Sequence, residues 1–213
     1  MARDRSGLFL VFEGVEGAGK SSHLRRLSRR LDAAGIAHLV VREPGGTPAG
    51  ERIRDVVLDP AYELTPEAEL LLYLASRAEF VANLVRPALS RGELVLSDRF
   101  ALSTLAYQGV ARGLGVERAR ELNAFATRGL EPDGTILLTV SPDVGRGRKH
   151  QAPDRLEREL SAFHEAVARA YEEFARADDT IIEISSTGDF EAVHEAIWDA
   201  LSGRWPDRFP RPD

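Results

Sequence analysis

The sequence predicts an α/β fold in which helices cover both faces of an open, five-stranded parallel sheet. Short apolar runs alternate with longer amphipathic stretches along the chain, which is the pattern of strands joined by crossover helices. Residues 8–12 form an unbroken apolar run, as expected for a parallel strand buried on both faces. The length of 213 residues, 43% of them hydrophobic, suits one well-packed domain. We therefore predict a single domain over residues 1–202.

Each predicted element has a local signal. The strands are the apolar runs at 8–12, 38–41, 94–97, 135–140 and 180–184. The first helix carries Leu24, Leu27 and Leu31 at spacings of three and four, and Gly35 ends it. Further helices are predicted at about 50–58, from Thr65 and Pro66 onward, around Pro87, at about 116–128, after residue 155, and through Phe190, Val193 and Ile197.

Two segments carry less regular patterns. Residues 145–155 are basic and contain Gly and Pro, so we predict a mobile lid. It precedes a helix whose apolar face includes Leu160, Phe163 and Val167. Residues 203–213 are rich in Pro and charge and are expected to be frayed, although Trp205 or Phe209 could instead dock on a neighbouring surface.

Charge and composition exclude several classes of protein. The net charge of −6 argues against a nucleic-acid partner or an anionic membrane, since both are bound mainly through basic residues. The chain has no cysteine, which excludes disulfides and thiolate chemistry. We find no secretion signal and no apolar run long enough to span a membrane, so we expect a cytoplasmic protein.

The stretch from Gly14 to Ser21 fits the phosphate-binding pattern G-x-x-x-x-G-K-[ST], between the first strand and the first helix. Its glycines let backbone N–H groups approach phosphate oxygens at a helix N-terminus. Lys20 supplies positive charge to the phosphates, and the hydroxyl of Ser21 is a ligand for Mg²⁺. The predicted ATP-binding residues are Gly14, Val15, Glu16, Gly17, Ala18, Gly19, Lys20, Ser21 and Ser22.

A phosphate loop alone is compatible with kinases, ATPases and GTPase switches. The sequence has no Asn-Lys-x-Asp motif for guanine, and it has no second nucleotide motif or basic face typical of a helicase. Several arginines are predicted around one pocket, which suits a second phosphorylated substrate. These patterns favour a small-molecule kinase.

Five linked motifs resemble those of the thymidylate kinase family, whose members move the γ-phosphoryl group of ATP to thymidine monophosphate (dTMP). The resemblance covers about residues 8–201 and rests on 12–22, the loop 42–47, Asp98-Arg99-Phe100, 103–109 and 154–157. The resemblance implies a P-loop kinase fold, Mg²⁺ with ATP, and a homodimer. Another nucleoside monophosphate kinase is the near alternative, and an ATP-dependent switch is the alternative from a different class.

The resemblance also implies roles for individual residues. Arg99 matches the arginine that holds the acceptor phosphate, with Asp98 beside Mg²⁺, and Glu16 matches an acidic residue near the sugar 3′-hydroxyl. Tyr73 matches the aromatic that stacks on thymine, Arg77 one that reaches a base carbonyl, and Tyr107 one that favours deoxyribose. The implied dTMP-binding residues are Glu16, Glu43, Arg54, Tyr73, Arg77, Arg99, Thr104, Tyr107 and Gln108.

The sequence differs from one branch of the family at Gly17, and it departs from the commoner family pattern in the lid and at Thr139. Gly17 stands where one branch of the family has a catalytic arginine, so the lid must supply that charge from Arg146, Arg148, Lys149 or Arg155. Arg148 and Arg155 match best, and with Lys20 and Arg99 they are the predicted catalytic residues. The lid is short and contains Pro153, and Thr139 replaces a frequent Asp without an evident physical reason.

Overall fold

The computed structural model describes residues 7–148 and 153–210. Its five strands are all parallel and form one sheet in the order β2-β3-β1-β4-β5, which confirms the predicted sheet. The strands are β1 (Leu8–Glu13), β2 (His38–Arg42), β3 (Leu94–Asp98), β4 (Gly134–Thr139) and β5 (Ile181–Ser185).

The sheet order brings the chain segments after β1 and β3 together. Strand β1 is central and pairs with β3 on one side and β4 on the other, and Phe12 lies opposite Asp98. Just beyond that pair, the backbone N–H of Arg99 donates to the carbonyl of Phe12 at 2.9 Å. In parallel sheets, ligands bind beyond the carboxyl ends of the strands, at the point where strand order reverses.

Helices cover both faces of this sheet. They are α1 (Lys20–Ala33), α2 (Pro48–Leu58), α3 (Pro66–Phe80), α4 (Arg86–Ser90), α5 (Ala101–Thr104), α6 (Val116–Thr127), α7 (Pro142–Gly147), α8 (Ser161–Ala177) and α9 (Phe190–Arg204). The π-helical segments Val81–Val85 and Leu105–Ala111 continue α3 into α4 and extend α5. No helix in the described ranges combines the length and apolarity needed to cross a membrane.

Successive side chains of β1 point to opposite faces of the sheet, so the core is divided into two layers. Leu10 and Phe12 pack with Leu27 of α1 and Val167 of α8, on one face. Phe9 and Val11 face the opposite layer, which is filled from the α3–α4 region. This double burial explains the unbroken apolar run that predicted the strand.

Caps account for where two helices begin. Thr47 accepts a hydrogen bond from Gly50 N at 3.0 Å, so α2 begins at Pro48 instead of near Gly50. Thr65 caps α3 in the same way, with Pro66 as the first helical residue, as predicted.

The structure differs from the predictions for the tail and for one helix face. Phe209 is fully buried against Trp198, and Trp205 packs over Gly134, so the prediction of a frayed tail is wrong there. The alternative prediction, in which these aromatic residues dock on a neighbouring surface, is the one that fits residues 205–209. Leu160 is 80% exposed because it is the N-cap of α8, before the helix face begins.

Candidate active site

The phosphate loop wraps around the side chain of Lys20, the first residue of α1. Its ammonium group donates to the carbonyls of Gly14 at 3.0 Å and Val15 at 2.9 Å. Gly17 has a φ of 74°, and a Cβ there would lie 2.0 Å from the carbonyl oxygen of Gly145. Only glycine fits this contact, so the loop and the start of the lid pack backbone to backbone.

Lys20 is buried and has a perturbed pKa. The pKa of its ammonium is lowered from 10.5 to about 8, mainly by burial and further by the charge of Arg99, while Asp98 and Glu16 oppose the shift. Burial disfavours the charged form because the ammonium loses its hydration. A bound polyphosphate would favour the charged form, so the site is prepared for an anion.

The two predicted metal ligands are in contact. The hydroxyl of Ser21 donates to a carboxylate oxygen of Asp98, at the end of β3. Hydroxyl and carboxylate oxygens are the hard ligands that Mg²⁺ prefers, usually together with phosphate oxygens and water. Their chemistry therefore fits the predicted metal.

Arg99 connects the phosphate loop to the rest of the pocket. Its guanidinium donates to the carbonyl of Gly14 at 3.2 Å, to Glu16 at 3.2 Å and to the hydroxyl of Ser103 at 3.0 Å. The backbone of Arg99 has a φ of 74°, which is unfavourable for a residue with a side chain. Such strain persists where the surroundings fix a functional side chain.

Glu13, which the sequence analysis did not identify, supports this arrangement. It is fully buried and accepts hydrogen bonds from Phe100 N at 2.8 Å, from Ser103 Oγ at 2.6 Å and from the hydroxyl of Tyr171 at 3.0 Å. It thereby fixes Phe100 and Ser103, which follow Arg99 in the chain. An acidic residue at the end of an apolar run was the available signal, whereas Tyr171 gave none beyond its place on an apolar helix face.

A cavity of about 370 Å³ lies beside the loop and extends over α3 and the α5 region. Lys20, Ser21 and Asp98 line it at the phosphate-loop end. Every predicted dTMP-binding residue also lines it, namely Glu16, Glu43, Arg54, Tyr73, Arg77, Arg99, Thr104, Tyr107 and Gln108. The structure thus brings residues from five separate chain segments to one cavity next to the phosphate loop.

Arg77 is held from several sides. It donates to Glu43 at 2.7 Å, to Thr104 at 2.7 Å, to the carbonyl of Phe100 at 3.0 Å and to Asn123. Asn123 was not identified from the sequence, since nothing in the pattern of α6 marks it. Because Arg77 is buried and engaged with protein groups, it fixes the shape of the cavity wall in this structure.

Glu69, which was also not predicted from the sequence as a site residue, lies on the same helix as Arg77. It accepts hydrogen bonds from Gln108 at 2.7 Å and Arg112 at 3.0 Å, and its carboxylate is 2.7 Å from Arg155. Residues 69, 73 and 77 are spaced by four and share a helix face, so helical spacing could have found it.

The two lid arginines have different surroundings. Arg148 donates to the carbonyl of Gly17 at 3.4 Å and to that of Ser186 at 3.0 Å, beside the phosphate loop. Arg155 instead donates to the carbonyl of Val57 at 2.9 Å and pairs with Glu69. Part of the predicted lid is the short helix α7. Lys149 lies outside the described residues, as does the side chain of Arg146.

Comparison with known proteins gives one consistent result. A family model described as Thymidylate kinase matches residues 12–197. A protein of Deinococcus radiodurans named Thymidylate kinase is 48% identical over 201 residues, covering 93% of this chain and 98% of its own. Proteins of the same name from Lactobacillus delbrueckii subsp. bulgaricus (42% identical, covering 95% of this chain and 99% of theirs) and Synechococcus sp. strain JA-3-3Ab (44%, covering 96% and 100%) also match.

Proposed function

Because the chain belongs to the thymidylate kinase family, we propose that it transfers the γ-phosphoryl group of ATP to dTMP, giving dTDP and ADP. The observation that carries the proposal is the cavity of about 370 Å³ beside the phosphate loop, which Lys20 and Arg99 both line. One end of this cavity suits the phosphates of a nucleoside triphosphate, and the remainder suits a second nucleotide. A kinase needs both in one site.

The proposed reaction needs positioning and charge more than covalent chemistry. An anionic oxygen of the acceptor phosphate forms a bond to the γ-phosphorus, and the bond from that phosphorus to the β–γ bridging oxygen breaks, leaving ADP. The attacking oxygen carries no proton that must be removed first. Lys20 and Arg99 then have the task of aligning two phosphates that would otherwise repel each other.

Mg²⁺ bound by Ser21 and Asp98 would neutralise charge on the phosphate oxygens. The hydrogen bond between these two side chains supports the assignment, since it brings a hydroxyl and a carboxylate to one point at the edge of the loop. Asp98 also adjoins Arg99 in sequence, so metal and acceptor phosphate would be held by consecutive residues.

Arg148 is the lid residue best supported for charge stabilisation on the donor side. Gly17 leaves the phosphate loop without an arginine, and the guanidinium of Arg148 already contacts the carbonyl of Gly17. A guanidinium there would meet charge that develops on the transferring group. The contacts of Arg155 with Val57 and Glu69 favour a role beside the acceptor instead.

The acceptor end carries groups suited to a nucleoside. Tyr73 offers an aromatic face, and Thr104 and Gln108 offer hydrogen-bonding groups to a base. The guanidinium of Arg99 lies over the ring of Tyr107, 5.3 Å from the ring centroid. A sugar attached to the acceptor phosphate would therefore lie close to this ring. Glu16 pairs with Arg99 at 3.2 Å and would release part of that contact when a phosphate binds.

The test is a coupled assay with Mg-ATP and a panel of nucleoside monophosphates. We expect dTMP to give the highest kcat/KM. A higher value for a cytidine or guanosine monophosphate would indicate another kinase of this scaffold. Full-rate ATP hydrolysis without any acceptor would favour the ATPase or switch alternative.

We further propose that the enzyme is a homodimer acting in the cytoplasm. Phe125 of α6 is 85% exposed and Leu71 of α3 is 59% exposed, and these two helices are in contact. Exposed apolar side chains on adjacent helices suit an isologous interface. Sedimentation of the wild type and of Phe125→Asp tests this, with a monomeric wild type contradicting it.

A further inference from the structure

Glu69 is a buried carboxylate to which the reaction described above gives no task. It is fully buried on α3 and accepts from Gln108 of the segment Leu105–Ala111, while Arg112 and Arg155 contact it from two other places. A buried charge of this kind is costly unless its partners satisfy it. The arrangement therefore calls for a reason beyond packing.

The contact with Glu69 decides which way the amide of Gln108 is oriented. Burial raises the pKa of Glu69, but hydrogen bonds from Arg112 and Gln108 outweigh it and lower the pKa overall, so the carboxylate is ionised at neutral pH. An ionised carboxylate only accepts hydrogen bonds, so the amide nitrogen of Gln108 must face it. The acceptor oxygen Oε1 is then the group left to meet a base in the cavity that Gln108 lines.

A parallel constraint acts on Thr104. The guanidinium of Arg77 donates to Oγ1 of Thr104 at 2.7 Å, and arginine cannot accept. The hydroxyl hydrogen of Thr104 must therefore point elsewhere and can be donated to a ligand. Thr104 and Gln108 are four residues apart in one helical segment and both line the cavity. Together they present one donor and one acceptor.

We propose that Glu69 is a positioning residue that sets the base specificity of the acceptor site through Gln108, an inference that rests on the proposed kinase function. A donor beside an acceptor matches a base edge with a carbonyl next to a ring N–H, as in thymine and uracil. Cytosine presents the opposite order, an amino group next to an unprotonated ring nitrogen. With Glu69 in place, Gln108 cannot turn to suit cytosine.

The experiment compares dUMP with dCMP, because neither carries the 5-methyl group and only the base edge differs. We expect Glu69→Gln to lower the ratio of kcat/KM for dUMP to that for dCMP about tenfold, since a neutral amide at 69 can donate as well as accept and frees Gln108 to turn. An unchanged ratio in a folded variant would overturn the proposal.

Two further variants separate positioning from a general structural effect. In a Gln108→Met background, Glu69→Gln should no longer change the ratio, because the group through which it acts is gone. Glu159→Gln is the matched control, since Glu159 pairs with the same Arg112 at 2.6 Å. It should leave the ratio unchanged, and an equal fall in this control would refute a specific role for Glu69.

Activity of the wild type on dTMP distinguishes a failure of this inference from a failure of the proposed function. If the wild type does not phosphorylate dTMP, the proposed function fails. If it does, but Glu69→Gln retains the wild-type ratio, only the inference fails. Should Glu69→Gln not fold, Glu69→Asp keeps the charge and withdraws the carboxylate by one methylene, and the ratio should still fall.

Discussion

Nη2 of Arg77 lies 2.6 Å from Oε2 of Glu43, and both side chains are only 2% exposed. This ion pair joins α3 to the loop that follows β2, in the wall of the cavity. Burial raises the pKa of Glu43, and the charge of Arg77 opposes that rise. Removing one partner would leave the other charged and buried, which is far more costly than losing an exposed pair.

Arg77→Met is therefore expected to lower the free energy of unfolding by about 3–5 kcal/mol. Urea unfolding followed by circular dichroism measures this. Arg52→Met is the control, because the Arg52–Asp55 pair is exposed and its loss should cost less than about 1 kcal/mol. Adding Glu43→Gln to Arg77→Met should restore part of the loss, and equal effects of Arg77→Met and Arg52→Met would contradict the prediction.

If Arg99 holds the acceptor phosphate as proposed, Arg99→Ala should lower kcat/KM for dTMP roughly a hundredfold or more, because the variant loses that charged contact. ATP binding, measured by calorimetry, should persist, since Lys20 and the loop backbone remain. Arg169→Ala is the matched control on the exposed side of α8. Unchanged turnover in Arg99→Ala would remove this residue from the site.

Arg148 and Arg155 should have separable kinetic effects. Arg148→Ala is expected to lower kcat roughly tenfold or more with little change in the KM for dTMP, if it meets charge in the transition state. Arg155→Ala should instead act mainly on the KM for dTMP, since Arg155 pairs with Glu69. Steady-state kinetics of both variants decides this, and the reverse pattern would exchange the two roles.

ATP binding should take up a proton at alkaline pH. The pKa of Lys20 is about 8 in the free protein, so at about pH 9 the side chain is mostly neutral, and bound phosphates return its pKa toward the ordinary value. Calorimetry in two buffers of different ionisation enthalpy should show uptake approaching about one proton per ATP. At neutral pH Lys20 is already mostly charged, so its contribution to proton uptake should be small. The Lys20→Met variant should lack it at both pH values.

Phe209→Ala should destabilise the fold by about 3–5 kcal/mol, because the side chain fills a closed space against Trp198. Thermal and urea unfolding measure this effect. Leu160→Ala, at a position that is 80% exposed, should cost less than about 0.5 kcal/mol. A Phe209→Ala variant as stable as the wild type would return the tail to the frayed state predicted from its composition.

The sequence determined the features that depend on neighbouring residues. The run 8–12, the pattern from Gly14 to Ser21 and the residues Asp98 and Arg99 after a strand each carry a local signal. Because parallel strands end at one edge of the sheet, those signals place the phosphate loop and Arg99 at the same edge.

Tertiary structure alone decided which polar side chains are buried and what they bind. Glu13 and Tyr171 are 158 residues apart in sequence, and Glu69 and Gln108 are 39 apart. A buried carboxylate is tolerated only where donors from other elements converge on it, and their convergence depends on how the helices pack. The same holds for Phe209. The Pro-rich and charged composition of the tail predicted a frayed end, whereas in the folded protein Phe209 packs against Trp198 of α9. The sequence thus determined that this protein binds phosphates, and the packing decided how the second substrate's pocket is shaped.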